Sequence, residues 1–508
     1  MKINIKNIIA GGAVATMLFG FSSCNDYLDI TQEQTLPATS IDYSQTENMY
    51  EPVSGCYATM RNNMMHWVVN LLTVIRDRDV WSGRVDDQAD LIQINDYVYN
   101  NSSFWGINEY WRVYYQMVRA CNEALVNLDS YAEYITNEND MALYRSYCGE
   151  VRILRAIAYY YLVQFFGNVP IIFDNSQTDA TPYTREAVYE YCLRDLSYAM
   201  QYTPKVRPNQ MAHVGAYSAY TAEMLAAKIY LMMAGFQNNN EYYTQVMNLT
   251  NDIINSNLFE LYDDYYQLFK LPGRLCNESL AECQVTDFGS GEGDYIGVDL
   301  YFVVGGPSIS NPDTTPDGAG GWNFIGYYDS FYNWALERGE SIRATTSFLL
   351  GGTTTPSGDY VNEPGNPQNT NNWNGKFYLP LNQFTPGRTD YGVGNNVRLF
   401  RYSEVLLMNA EAKVRLGQNG DTPFNLVRER ADMPAITNVN IDQILDERRM
   451  ELCCEWGNRY ADLIRTGLAS TVLGPFGWTA EKTYFAIPAT QIDLAESLKN
   501  EPISTLPD

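Results

Sequence analysis

Five acids and four arginines crowd one stretch near the C-terminus, Ile444 to Gly467, and catalytic chemistry would be sought there first. Asp446, Glu447, Glu451, Glu455 and Asp462 alternate with Arg448, Arg449, Arg459 and Arg465. Glu447, Glu451 and Glu455 follow one another at one helical turn, which lines their carboxylates along a single face. A pair of carboxylates could serve as general acid and base. The same acids beside guanidinium groups could instead form an ion-pair lattice tying this segment to other helices. Adjacent arginines lower a carboxyl pKa, which suits pairing better than acid catalysis. The chain holds only two histidines, His66 and His213, too few for a zinc site or a Ser-His-Asp triad. Among the cysteines, Cys453 and Cys454 are adjacent and Cys276 and Cys283 are seven apart, spacings unlike a zinc motif. Cys121, Cys148 and Cys192 fall on helix-like faces and read as buried thiols. A Cys276–Cys283 disulfide stays open in an oxidising compartment. No metal or other cofactor is expected.

The elements that must position these residues are helical. Ile444, Leu445 and Leu452, then Leu463 and Ile464 beyond a break at Gly457, keep helical spacing. The clearest helix runs over 141–166, where Leu143, Tyr147, Val151, Leu154, Ala158, Leu162 and Phe165 form an apolar stripe that ends at Gly167. Further helices are predicted at about 41–60, 104–128, 185–201 with Thr184 as N-cap, 215–234, 241–256 and 399–416 with Gly417 at its end. Residues 61–85 read as less regular. Ala222, Ala226 and Ala227 let two helices approach closely. The pairs 104–128 with 141–166, 185–201 with 215–234 and 399–416 with 441–455 share a helix–connection–helix logic, without an exact repeat. The fold class is therefore mostly α: a tetratricopeptide-like helix-pair scaffold with a large irregular, loop-rich insertion carrying short strands. That insertion covers 271–398, where Gly, Pro, Asn, Thr and Asp clusters dominate, and loops of such length are usually functional.

With 508 residues the chain is long enough for a large helical array or more than one core. Its 34 basic against 60 acidic residues give a net charge of -26, which disfavours nucleic acid and anionic membrane surfaces. Tyr alone counts 40. Tyrosine suits a sugar-binding surface, and a tyrosine-rich helical core equally well. At the N-terminus Lys2 and Lys6 precede an apolar run from Ile8 to Phe21, too short for a span of ~20 residues. Ser22, Ser23 and Cys24 then look like a bacterial lipobox. Residues 1–23 are read as a lipoprotein signal peptide and Cys24 as the acylated residue, a stable lipid anchor. Residues 24–270 are read as an N-terminal helical region, 271–398 as a loop-rich segment and 399–508 as a C-terminal helical region.

Four motifs carry a family resemblance: the helix from Glu150 to Pro170, the run Arg401 to Ala412, the stretch from Glu447 to Gly467, and the lipobox followed by Asn25-Asp26-Tyr27-Leu28. Together, in this order, they resemble the SusD/RagB lipoproteins of Bacteroidetes. The chain departs at Glu455-Trp456-Gly457-Asn458-Arg459, one residue longer than the family's usual Glu-Gly-x-Arg. The resemblance implies a non-catalytic, surface-exposed outer-membrane lipoprotein, with 271–398 as its ligand-binding segment. Such a protein binds an oligosaccharide or other nutrient and delivers it to a SusC-like TonB-dependent transporter. The alternatives are a surface scaffold for peptide or protein and a glycoside hydrolase, which needs two carboxylates ~5–10 Å apart across a cleft.

Sugars stack their C–H faces on flat rings, while amides and carboxylates take the hydroxyls. Trp81 and Trp322, each in a loop-like polar context where family members often place ligand contacts, lead the candidates. Trp67, Tyr301 and Trp373 follow, with Asp79, Asn95 and Asn323 as hydrogen-bonding partners. Any of these tryptophans could equally pack under a loop. Trp105, Trp111 and Trp334 sit at helical spacing and are expected in the core.

Overall fold

A computed structural model describes residues 41–83, 87–99, 104–285, 306–313, 315–319, 321–363, 371–384 and 394–507. The leader 1–23, Cys24 and Tyr301 lie outside the described residues, as does the glycine-rich run at 289–293. Among the described residues, no helix is long and apolar enough to cross a membrane.

Two long helices form the spine, α4 (Trp105–Ala132) and α5 (Glu138–Phe166); before them come α1 (Glu51–Thr59), α2 (Trp67–Val74) and α3 (Ala89–Asn95). Asn137 caps α5, its Oδ1 accepting from the Asp140 N–H at 2.9 Å. The two helices pack through aromatic rings, Tyr110 stacking on Phe165 with centroids 4.0 Å apart. The α6 helix (Arg185–Tyr202) joins them, its Thr184 cap accepting from the Ala187 N–H at 3.4 Å. A buried Arg155 fastens all three, donating to Asp195 on α6 and at 2.8 Å to Asn122 on α4. The series continues with α7 (Ala219–Gln237) and α8 (Asn240–Asn255). Ala222, Ala226 and Ala227 are fully buried there, as expected of small residues at a close helix contact.

The chain then turns to short elements: α9 (Tyr265–Leu268), β4 (Ser279–Cys283), β5 (Ile309–Asn311), β6 (Thr315–Ala319), β7 (Ile325–Tyr327), α10 (Asp329–Glu337), α11 (Ile342–Ser347), β8 (Phe348–Leu350), β9 (Tyr360–Val361) and β10 (Asn372–Asn374). Earlier strands are β1 (Val80–Ser82), β2 (Val169–Pro170) and β3 (Pro182–Tyr183), and β11 (Val397–Arg401) follows. A four-stranded antiparallel sheet runs in the order β1-β7-β10-β8. Helices resume with α12 (Tyr402–Arg415), α13 (Asp421–Arg430), α14 (Ile441–Glu451) and α15 (Asn458–Arg465). The architecture is mostly α-helical, with paired helices and a loop-rich insertion carrying short strands.

Three expectations need correction. Of the segment 61–85, the described residues 61–83 are more ordered than their sequence suggests, because Trp67–Val74 is buried on nearly every side and shows no amphipathic period. The first helix is shorter, starting at Glu51. The piece 397–401 is a strand pairing with β4, and the helix predicted from Leu399 starts only at Tyr402. A partner more than 100 residues away decides that choice, and local periodicity carries no sign of it.

Candidate functional site

Glu447, Glu451, Glu455 and Asp462 interlock with arginines inside the protein, while Asp442 is exposed and Asp446 half-buried. Glu447, Glu451 and Asp462 are all buried, as are Arg448 and Arg465. Glu447 pairs with Arg343 of α11 at 2.6 Å and with Arg428 of α13 at 2.7 Å. Glu451 meets Arg401 at 3.0 Å and also pairs with Arg430. Glu455 holds Arg401 at 2.8 Å and Lys376 at 2.6 Å. Asp462 bridges Arg448 at 2.7 Å and Arg465 at 2.8 Å, and Arg465 reaches Glu411 at 2.6 Å. Burial alone would raise the Glu451 carboxyl, but Arg430, Arg401, Arg343 and Lys376 together hold it well below the usual range. Asp462 is likewise pulled from its burial-raised position down to about 2 by Arg448 and Arg465. A general acid needs the opposite shift. The lattice joins the insertion, through Arg343 and Lys376, to the C-terminal helices. All eight described cysteines are free thiols, Cys276 and Cys283 included.

The longer turn that departs from the family pattern has an unusual backbone. Cys454, Trp456 and Gly457 all take positive φ, at 59°, 46° and 71°. For the two non-glycine residues this is strained, and such strain persists only where surroundings over-determine it. They do so here: Asn374 Nδ2 donates to Cys454 Sγ at 2.9 Å and the Trp456 indole N–H donates to the Arg398 carbonyl at 2.8 Å.

The predicted ligand residues divide into two groups. Trp81 and Trp373 are fully buried in one cluster with Leu349 and Tyr378. They flank Gly326 on β7 from neighbouring strands. A Cβ there would lie 2.6 Å from the Trp81 ring, so only glycine admits it. The Trp81 indole N–H donates to the Tyr327 carbonyl at 3.1 Å, and that of Trp373 donates to Asn323 Oδ1. Neither ring presents a face to solvent, which corrects their reading as stacking residues. The polar candidates are similarly spent. Asp79 is ion-paired with Arg449; Asn95 donates to the Val80 carbonyl at 2.8 Å and accepts from the Tyr328 hydroxyl; all three polar candidates are buried.

Trp67 and Trp322 behave differently. Trp322 is half-buried and meets Trp67 edge-on, with centroids 6.0 Å apart at 82°. Trp67, itself 7% exposed, meets Trp105 at 5.7 Å and 64°. Trp105, expected in the core, is 44% exposed. His66 completes the group 5.7 Å from Trp67, and burial pushes its imidazole pKa down, which favours the neutral ring. Gln88 stands at the rim, its Oε1 accepting from the Trp105 indole N–H at 3.3 Å. The cluster draws on the N-terminus of α2, the N-terminus of α4 and the loop before β7. A sequence signal for Trp105 existed: it lies six residues before Trp111, about 240° around the helix, off the buried stripe. Trp111 is buried as expected, and Trp334 is half-buried under Arg449, 4.2 Å from its ring.

A half-exposed aromatic cluster with a neutral histidine and an amide at its rim is an arrangement suited to binding uncharged, ring-shaped ligands. Among the described residues, no group of His, Cys, Asp or Glu is arranged to hold a metal ion. A family model described as SusD family matches residues 305–501, and one described as starch-binding associating with outer membrane matches 26–231. Together they span most of the chain, which belongs to the SusD/RagB family. A SusD-like protein P2 from Formosa agariphila is 24% identical over 482 residues, covering 87% of this chain and 88% of that one. A SusD-like protein from Bacteroides ovatus is 25% identical over 386 residues, and the match spans 69% of this chain and only 64% of that relative. Surface glycan-binding protein A from Bacteroides thetaiotaomicron, solved with laminarihexaose, is similar in fold. Its TM-score is 0.74 at 24% identity, covering 89% of this chain and 98% of that one.

Proposed function

We propose that this protein is a non-catalytic glycan-binding lipoprotein of the cell surface that holds a neutral oligosaccharide on the cluster of Trp67, Trp105, Trp322 and His66. The observation that carries this reading is Trp105, a large indole left 44% exposed at the head of a long helix, which meets the same Trp67 ring as the half-buried Trp322. Exposed tryptophan grouped with other rings is costly to leave in water and gains by stacking on a sugar. Relatives of the same fold include a complex with laminarihexaose and another with a xylogluco-oligosaccharide. Glu447, Glu451, Glu455 and Asp462 support a binding role over hydrolysis, since their cationic partners hold them ionised. The chain is read as anchored in the outer membrane through Cys24, with residues 24–270 and 399–508 as a tetratricopeptide-like scaffold and 271–398 as the segment that completes the ligand surface. It delivers its ligand to a SusC-like TonB-dependent transporter.

Calorimetry against a panel of neutral oligosaccharides, laminarihexaose and a xylogluco-oligosaccharide included, tests the binding role. Trp105→Ala and Trp322→Ala are each expected to weaken binding at least about tenfold, ~1.4 kcal/mol, with melting unchanged. Intact affinity in both variants would refute the site. Release of shorter sugars on prolonged incubation would refute the non-catalytic role, and silence across the whole panel would favour a peptide or protein ligand. Cys24→Ser should move the protein from the membrane fraction to the soluble one; unchanged membrane association would count against the anchor.

A further inference from the structure

A cleft of about 380 Å³ opens beside β8, at the edge of the four-stranded sheet. The aromatic cluster described above adjoins the opposite edge, where Gly83 after β1 donates its N–H to the Phe324 carbonyl at 3.0 Å. Three strand spacings, roughly 14 Å, separate the two edge strands. The cleft is of a size that ordinarily holds a small ligand. Its walls combine the rings of Tyr266, Tyr332 and Tyr378 with the hydroxyls of Thr345, Thr354 and Thr355.

The charge inventory selects the ligand class. Among the described residues, the only Asp, Glu, Lys, Arg or His lining the cleft is Glu340, buried, with its two oxygens accepting from Arg343 at 2.6 and 2.8 Å. Those residues leave no unpaired charge for a phosphate, a carboxylate or a cation. The rings are held in place: the Tyr378 hydroxyl donates to Asp359 and meets Thr355 Oγ1 at 3.0 Å, and the Tyr266 hydroxyl meets Ser357 Oγ at 2.9 Å. Behind them the Lys270 ammonium lies over both rings, 4.6 Å from the Tyr378 centroid and 5.1 Å from that of Tyr266. Tyr332 meets Phe348 edge-on at 5.0 Å. Oriented aromatic rings among uncharged hydroxyls match a sugar, whose C–H faces stack and whose hydroxyls exchange hydrogen bonds.

We propose that this cleft is a second carbohydrate site, taking a short segment of a neutral oligosaccharide independently of the exposed tryptophans. It rests on the glycan-binding reading and adds a site to it. The same calorimetric panel tests it through stoichiometry. A short oligosaccharide should show two binding events per chain. Thr345→Trp and Thr354→Trp, both at exposed positions on different elements, fill the cleft. Each should abolish one event, leave the other Kd within about twofold and leave melting unchanged. In the Trp105→Ala, Trp322→Ala double variant the event belonging to the cleft should persist. A single event, lost with the tryptophans and untouched by the threonine variants, overturns the second site while the first reading stands. No binding by any member of the panel overturns both.

Discussion

Charge and apolar surface change places between two regions of this molecule. Around Glu447, Glu451, Glu455 and Asp462, carboxylates and guanidiniums are packed out of contact with water; at the head of α4 and in the loop before β7, the rings of Trp105 and Trp322 stand partly in it. The first arrangement is affordable only because each ion is answered: an unpaired buried charge costs several kcal/mol. The second costs hydrophobic free energy that a ligand can return. A region that commits every polar group internally is scaffold, and one that leaves apolar surface uncommitted is available for recognition. The tryptophans make the same contrast, with Trp81 and Trp373 sealed on both sides of Gly326 and Trp105 open.

The largest effect is expected where the lattice is broken. Arg343→Ala leaves Glu340, Glu447 and Glu451 short of a cation they share, and should cost about 3–5 kcal/mol in denaturant unfolding. A loss under about 1 kcal/mol would mean the lattice is dispensable. Trp81→Ala should follow, at about 3–4 kcal/mol for a core indole, without a specific loss of sugar affinity in the protein that remains folded. Smaller again is the exposed group: Trp105→Ala should change stability by no more than about 0.5 kcal/mol while weakening binding. That crossing of effects, stability without affinity in one tryptophan and affinity without stability in the other, is the sharpest test of the comparison.

The smallest effect concerns pH. Glu447, Glu451, Glu455 and Asp462 have carboxyls held below their ordinary range, so their stabilisation is present above an unfolded pKa near ~4 and fades as pH falls through the folded values. Glu150 runs the other way. Burial lifts its carboxyl to about 8 against the hydrogen bonds of Tyr50 and Tyr57, each at 3.3 Å. Its contribution is therefore greatest below the unfolded pKa and is lost as pH rises towards 8. Glu150→Gln should raise Tm by a few degrees at pH 8 and leave it nearly unchanged at pH 4. Thermal melts at the two pH values check this; an equal shift at both would point to packing alone.

The sequence by itself determined most of the long helices, because stripe periodicity, the Thr184 cap and the Gly457 break are local properties of the chain; it missed α2 and misplaced the starts of α1 and α12. It also determined family membership, through motifs read in order, and it offered both readings of the acidic stretch. The tertiary structure decided between those readings, since Arg343, Arg401 and Arg430 reach Glu451 from elements 21 to 108 residues away. It likewise decided which indole meets water. Trp81 and Trp105 both sit among polar neighbours in the sequence, but β1 pairs with a strand nearly 250 residues later and is buried with its sheet, whereas the first turn of α4 is turned away from the buried stripe. Burial is a property of what arrives from elsewhere in the chain, and local spacing carries no record of it.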